Sequence, residues 1–148
     1  MAQEDNKELL LQDLCARLPY SVKIEATYSK YSGSSLRAKL CSEGVNILDT
    51  NILELFQQSE IYIKPYLFPL SSMTEEQKKE LDEKFNVIGI YWNNIQIHYH
   101  SQGYWDTDLE VDFQDWLWLI DWLNKNHFDY RGLIEKGLAI DCTNLNIY

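Results

Sequence analysis

Between positions 20 and 28 the side chains change character one by one. Val22, Ile24 and Ala26 fall to one side; Lys23, Glu25 and Thr27 fall to the other. A period of two fits an extended strand with one face in a core and one in water. Such a strand needs partners, because isolated pairs are marginal. The next apolar run repeats the pattern, with Leu36, Ala38 and Leu40 against Arg37 and Lys39. Residues 29–35 between them are Ser-rich, with Gly33 free to take a positive φ. The two runs therefore read as a β-hairpin with a long loop.

Other segments follow the same logic. Residues 5–18 carry Leu10, Leu14 and Leu18 at near-helical spacing and stop at Pro19, which predicts a helix. Leu9, Leu10 and Leu11 widen its stripe, as expected of a helix packed on two sides. Residues 45–48 suit a third short strand after the 42–44 turn. Residues 50–58 fit a short helix better than alternation. Residues 61–64 suit a strand that stops at Pro65. A helix then runs to about Phe85, capped through Thr74 and Gln77 or Ser72 and Glu75. Residues 87–92 and 95–100 flank Asn93-Asn94, two residues that tolerate the left-handed turn of a tight hairpin. Residues 110–126 form the longest helix. Asp129 caps a short last helix over 130–136, with Gly137 past its end. No repeat or linker interrupts the chain. The expected fold is one α+β domain over residues 1–148. Its mostly antiparallel sheet has about five strands, packed against the long helix and the N-terminal one.

Length and charge narrow the classes. A chain of 148 residues buries enough surface to fold without staples. Its net charge is −10, which repels a phosphate backbone and argues against general nucleic-acid binding. The apolar runs are too short to span a membrane, and the polar, acidic N-terminus is no signal peptide. Cys15, Cys41 and Cys142 form no CxxC pair and read as reduced thiols, with Cys15 and Cys41 in apolar surroundings.

The long helix carries more tryptophan than one buried face explains. Phe113, Trp116, Ile120 and Leu123 cluster on one arc, flanked by Leu117 and Leu119. Gln114, Asp115, Asp121, Asn124 and Lys125 occupy the opposite arc, and Trp118 and Trp122 fall among them. Either another element covers this pair, or Trp118, Trp122 and Asp115 form a partner-binding surface. A homodimer would cover the same surface, with Lys125 of one chain near Asp115 or Asp121 of the other.

Charge reverses locally in the first hairpin. Lys23, Lys30, Arg37 and Lys39 meet only Glu25, and Tyr20, Tyr28 and Tyr31 interleave with them. Cations and hydroxyls suit phosphate, and tyrosine suits a base, so Lys23, Tyr28, Lys30, Tyr31, Arg37 and Lys39 are candidate anion- or nucleotide-binding residues. A solvated hairpin tip is the plainer reading of the same residues. His98 and His100 share one side of a strand, with Asp106 and Asp108 nearby, a weak metal-capable set. His127 follows the long helix, where a cation meets the C-terminal dipole favourably. No GxSxG or HExxH run is present, and no cysteine has an activating partner. The expectation is a protein without catalytic residues, cofactor or resident metal.

Three stretches carry a resemblance: Leu11-Gln-Asp-Leu-Cys-Ala-Arg-Leu-Pro-Tyr20, Ile63-Lys-Pro-Tyr-Leu-Phe-Pro-Leu-Ser-Ser-Met-Thr-Glu-Glu76, and the run from Leu119 to Ala139. Together they resemble a family of small proteins of gut Bacteroidetes, their prophages and their phages. Phe68 stands where that family more often has Arg. The resemblance brings no activity and no catalytic residues. It implies a source in a gut bacterium or its mobile elements, and a cytoplasmic product. By that association the first expectation is a non-enzymatic binding protein, a counter-defence inhibitor acting on a host protein. The alternatives are a protein that sequesters a small nucleotide or other anionic metabolite and, further out, a metal-dependent enzyme on the His98 set.

Overall fold

The computed structural model describes residues 2–28, 34–48, 61–85, 90–93, 96–101, 104–105 and 113–148. Within them the chain is α+β. Helix α1 covers Ala2–Arg17, longer at its start than the apolar spacing marks. After a 3-10 turn, strands β1 (Val22–Tyr28), β2 (Ser34–Cys41), β3 (Gly44–Ile47) and β4 (Ile61–Pro69) follow. Helix α2 spans Glu75–Phe85, and helix α3 spans Phe113–Lys125. Between them β5 (Ile90–Asn93), β6 (Gln96–Ser101) and β7 (Tyr104–Trp105) make a separate three-stranded antiparallel sheet. Two short strands close the chain, β8 (Phe128–Asp129) and β9 (Ile140–Asp141).

The main sheet is mixed and six-stranded. Its order is β3-β2-β1-β4, and β8 and β9 both pair with β4 in parallel. The first hairpin keeps the register that the alternation demands. Val22, Ile24 and Ala26 face Leu40, Ala38 and Leu36 across β2. β4 corrects the expectation of a strand ending before Pro65. Pro65 pairs with Ile24 on β1, yet the parallel partners on the other edge begin only at Tyr66. Among the described residues that edge has no partner beside Pro65, so the missing N–H costs no ladder bond there, and proline is tolerated.

One apolar layer joins α1 to the inner sheet face. It unites Leu14, Val22, Ile24, Ala26, Leu36, Ala38 and Leu67 with Leu133 and Ala139 of the C-terminal segment. α1 also inserts a fully buried ion pair. Arg17 Nε donates to Asp13 Oδ2 at 2.7 Å, and Nη2 donates to Asp13 Oδ1 at 3.0 Å and to the Phe128 carbonyl at 2.7 Å. A guanidinium one helical turn from its carboxylate thereby ties α1 to β8. The second apolar cluster packs Leu119, Trp122 and Leu123 of α3 against Met73, Leu81 and Phe128. The long helix thus sits on β8 and α2, while α1 covers the hairpin strands.

Residues 130–136 correct the expectation of a last helix. They form turns, because Gly132 takes φ +71 in their middle and breaks the repeat. Asp129 is therefore no helix N-cap, and its side chain closes the turn from further back, bonding N–H groups four and five residues on. Its two carboxylate oxygens accept from the N–H groups of Leu133 and Ile134 at 2.9 and 2.8 Å. The α2 cap settles on Thr74 and Gln77, each side chain bonding the other's backbone N–H.

Candidate anion-binding face

The face of the main sheet opposite α1 is set by the odd residues of β1. Antiparallel register places directly paired residues on the same side. Lys23 therefore stands beside Lys39 of β2, and Glu25 stands between Arg37 of β2 and Lys64 of β4. Thr27 stands between Ser35 and Tyr62 in the next row. Four cations share this block with one carboxylate, on a chain whose net charge is −10. Arg37 and Lys64 are exposed, Lys39 is half-buried, and Tyr62 is 45% exposed. Like charges directly opposed across a ladder repel, so the Lys23–Lys39 pair is a local cost that an anion would relieve.

One side of the block is walled by the C-terminal segment. Tyr66, Cys142 and Ile147 form a third apolar cluster there, with Phe68 and Ile140 beside it. The Tyr148 hydroxyl accepts from the Lys23 N–H at 2.9 Å and donates to the Tyr66 carbonyl at 3.0 Å. Lys23 Nζ donates to the Ile147 carbonyl and lies 5.3 Å from the Tyr148 ring centre. The Lys23 charge is thus committed to this wall. Burial of the Tyr148 hydroxyl raises its pKa, although the residue as a whole is 42% exposed. Arg37 reaches across the sheet, its guanidinium 5.4 Å from the centre of the Tyr66 ring. The Tyr66 hydroxyl contacts Glu25 Oε1 at 3.5 Å.

Of the residues expected to meet an anion, Lys23, Arg37 and Lys39 come together. Tyr28 lies at the end of β1, paired with Ser34 and Ile61. Lys30 and Tyr31 lie outside the described residues. Sequence reasoning missed Lys64 and Tyr62, although their alternation with Ile61 and Ile63 marks them as an outward pair. It also missed Tyr66 and Tyr148, which only long-range pairing brings to the site.

Of the two readings of the Trp118–Trp122 pair, the contacts favour cover by other elements over an exposed partner-binding surface. Trp122 is 5% exposed and stacks on Phe128 at 5.7 Å and 13°. Trp118 is half-buried, stacks on Trp122 at 6.4 Å, and has Lys84 Nζ 5.3 Å from its ring. Asp115 meets Lys84 Nζ at 3.7 Å. The helix is rotated so that Leu119, Trp122 and Leu123 point inward, leaving Trp116 and Leu117 at 42% and 45% exposure. Asn124, counted with the polar arc, is also buried and accepts from the Tyr130 hydroxyl at 2.9 Å. The dimer argued from an exposed Trp118–Trp122 pair loses that ground.

His98 and His100 lie on β6, paired with Tyr91 and Trp105, while Asp106 and Asp108 lie outside the described residues. Among the described residues no three His, Cys, Asp or Glu side chains are grouped to hold a metal ion. The three cysteines are unpaired; Cys15 is exposed rather than in apolar surroundings. Burial, with Asp141 next to it, pushes the Cys142 thiol up to about 11, so it stays protonated. Among the described residues no helix is long and apolar enough to cross a membrane.

Fold and site together define an α+β protein whose sheet face opposite α1 carries a basic block within an acidic molecule. No family model matches this chain, and no curated protein or solved structure is significantly similar to it.

Proposed function

We propose that this chain is a binding protein, without a catalytic step, that holds a small anionic ligand on the basic block of β1, β2 and β4. The observation that carries the reading is the cross-strand block of Lys39, Arg37 and Lys64 around Glu25. A −10 molecule would screen such a block from extended polyanions while still admitting a compact one. A partner protein at Trp118 and Trp122 has less support, since Trp122 is stacked inside the fold. On the resemblance alone, the ligand belongs to the cytoplasm of a gut bacterium, and a phage or prophage product would act by sequestering it.

A thermal-shift screen tests this with phosphates, nucleotides, sugar phosphates and dicarboxylates at 0.15 M salt. At least one anion should stabilise the wild type by about 2.7 kcal/mol at 100-fold over its Kd. Lys39→Glu/Lys64→Glu should lose the shift, whereas Lys79→Glu on the exposed side of α2 should keep it. No saturable shift, or a shift indifferent to Lys39 and Lys64, would refute the reading.

A further inference from the structure

Resting on the anion-binding reading, the arrangement of the block narrows the ligand's chemistry. Lys64 and Tyr62 lie two residues apart on one face of β4, about 6.7 Å along the strand. Side chains rooted at that backbone spacing can reach the phosphate and the base of one nucleotide, because the lysine stem is long and flexible. Between them and β2 stands Glu25, a carboxylate in the centre of a cationic block. A bare anion gains nothing from it and is repelled by it. A ribose does gain, because vicinal hydroxyls donate to a carboxylate, and such hydrogen bonds are stronger than neutral ones. Thr27 and Ser35 add hydroxyls in the row of Tyr62.

We propose that the face takes a ribonucleoside 5′-phosphate, its phosphates on Lys64, Arg37 and Lys39, its base on Tyr62, and its ribose hydroxyls donating to Glu25. Each group in the block then has a role. The cations receive phosphate charge that spreads across two strand spacings, roughly 10 Å. The Tyr62 ring supplies the stacking that is tolerant of base identity. Glu25 distinguishes ribose from deoxyribose, since the deoxy sugar keeps only its 3′-hydroxyl and cannot give the carboxylate the paired donation of a vicinal diol.

Calorimetric titration of the full chain tests this, at constant ionic strength and without divalent cations. The probes are the four ribonucleoside triphosphates, their 2′-deoxy counterparts and inorganic tripolyphosphate. At least one ribonucleotide should bind about tenfold or more tightly than both its deoxy form and tripolyphosphate. Tyr62→Leu should weaken that nucleotide and leave tripolyphosphate unchanged. Glu25→Gln should bring the ribo-to-deoxy ratio near one. If Glu25→Gln instead strengthens both by the same factor, Glu25 acts by charge alone and the proposal fails. If tripolyphosphate matches every nucleotide, or ribo and deoxy forms are equal in the wild type, the ribonucleotide assignment fails while the anion-binding reading stands. Absence of binding by all probes, tripolyphosphate included, counts against both.

Discussion

His127 is held where burial disfavours a second proton. Its backbone sits at φ +61 after α3, and its ring stacks on Tyr148 with centres 3.8 Å apart. Burial, then the charges of Arg17 and Lys23, hold its pKa down to about 4. The ring is therefore neutral near pH 7, contrary to the cation suited to a helix C-terminus. The unfolded chain binds this proton near pH 6.5, so between about 6.5 and 4 it holds more protons than the fold. Stability should fall as pH drops through that window and level off below it, by on the order of 2 kcal/mol after allowing for partial exposure. His127→Asn keeps the left-handed backbone and removes the titration. Urea unfolding at intervals from pH 4 to 7 should show a smaller acid loss in the variant; equal slopes would contradict the assignment. Arg17 tests the buried pair in the same way. Arg17→Met leaves Asp13 buried with only Arg131 beside it, at 3.5 Å, and should cost roughly 3–5 kcal/mol. Asp13→Leu/Arg17→Met should recover much of that loss in denaturant titration, because no fully buried charge then lacks a partner; Arg131, which loses Asp13, is partly open to water.

At the scale of elements, the energetics of α3 reverse the expectation drawn from its polar arc. Trp122→Ala should cost roughly 3–5 kcal/mol, as large-to-small changes in a packed cluster do. Trp116→Ala should stay within about 0.5 kcal/mol, as exposed sites do. Chemical denaturation of the two variants separates the readings, and equal losses would contradict the helix rotation. Periodicity cannot fix that rotation, because Asn124 counts as polar until Tyr130 is known to bond it. The hairpin strands were legible for the opposite reason. Two-residue alternation fixes register by itself, since a one-residue slip would turn Ile24 and Ala38 into water. β4 was half legible: Ile61 to Lys64 alternate, but Pro65 hides the continuation until the pairing of β4 is seen. β8 and β9 have two residues each and draw their definition from β4, so no local pattern marks them. Likewise the basic hairpin pointed to the candidate site, while Lys64 and Tyr62 joined it only through pairing across β1.

For the molecule as a whole, the central feature is an uneven distribution of charge. The chain carries 23 acidic and 13 basic side chains, yet β1, β2 and β4 gather four of the cations on one face. A ligand held there by charge should bind more weakly as salt rises, because screening shortens from about 10 Å at 0.1 M to about 3 Å at 1 M. Contact with Glu25 and Tyr62 should leave part of the affinity at high salt, which titration at both concentrations measures. The most direct test of the account is where an anion lands. Tripolyphosphate titrated into the isotopically labelled chain, followed by amide NMR, should give saturable shifts at Lys23–Thr27, Ser35–Lys39 and Tyr62–Tyr66, absent in Lys39→Glu/Lys64→Glu. Shifts centred elsewhere, such as on α2 or α3, or none that saturate, would contradict it.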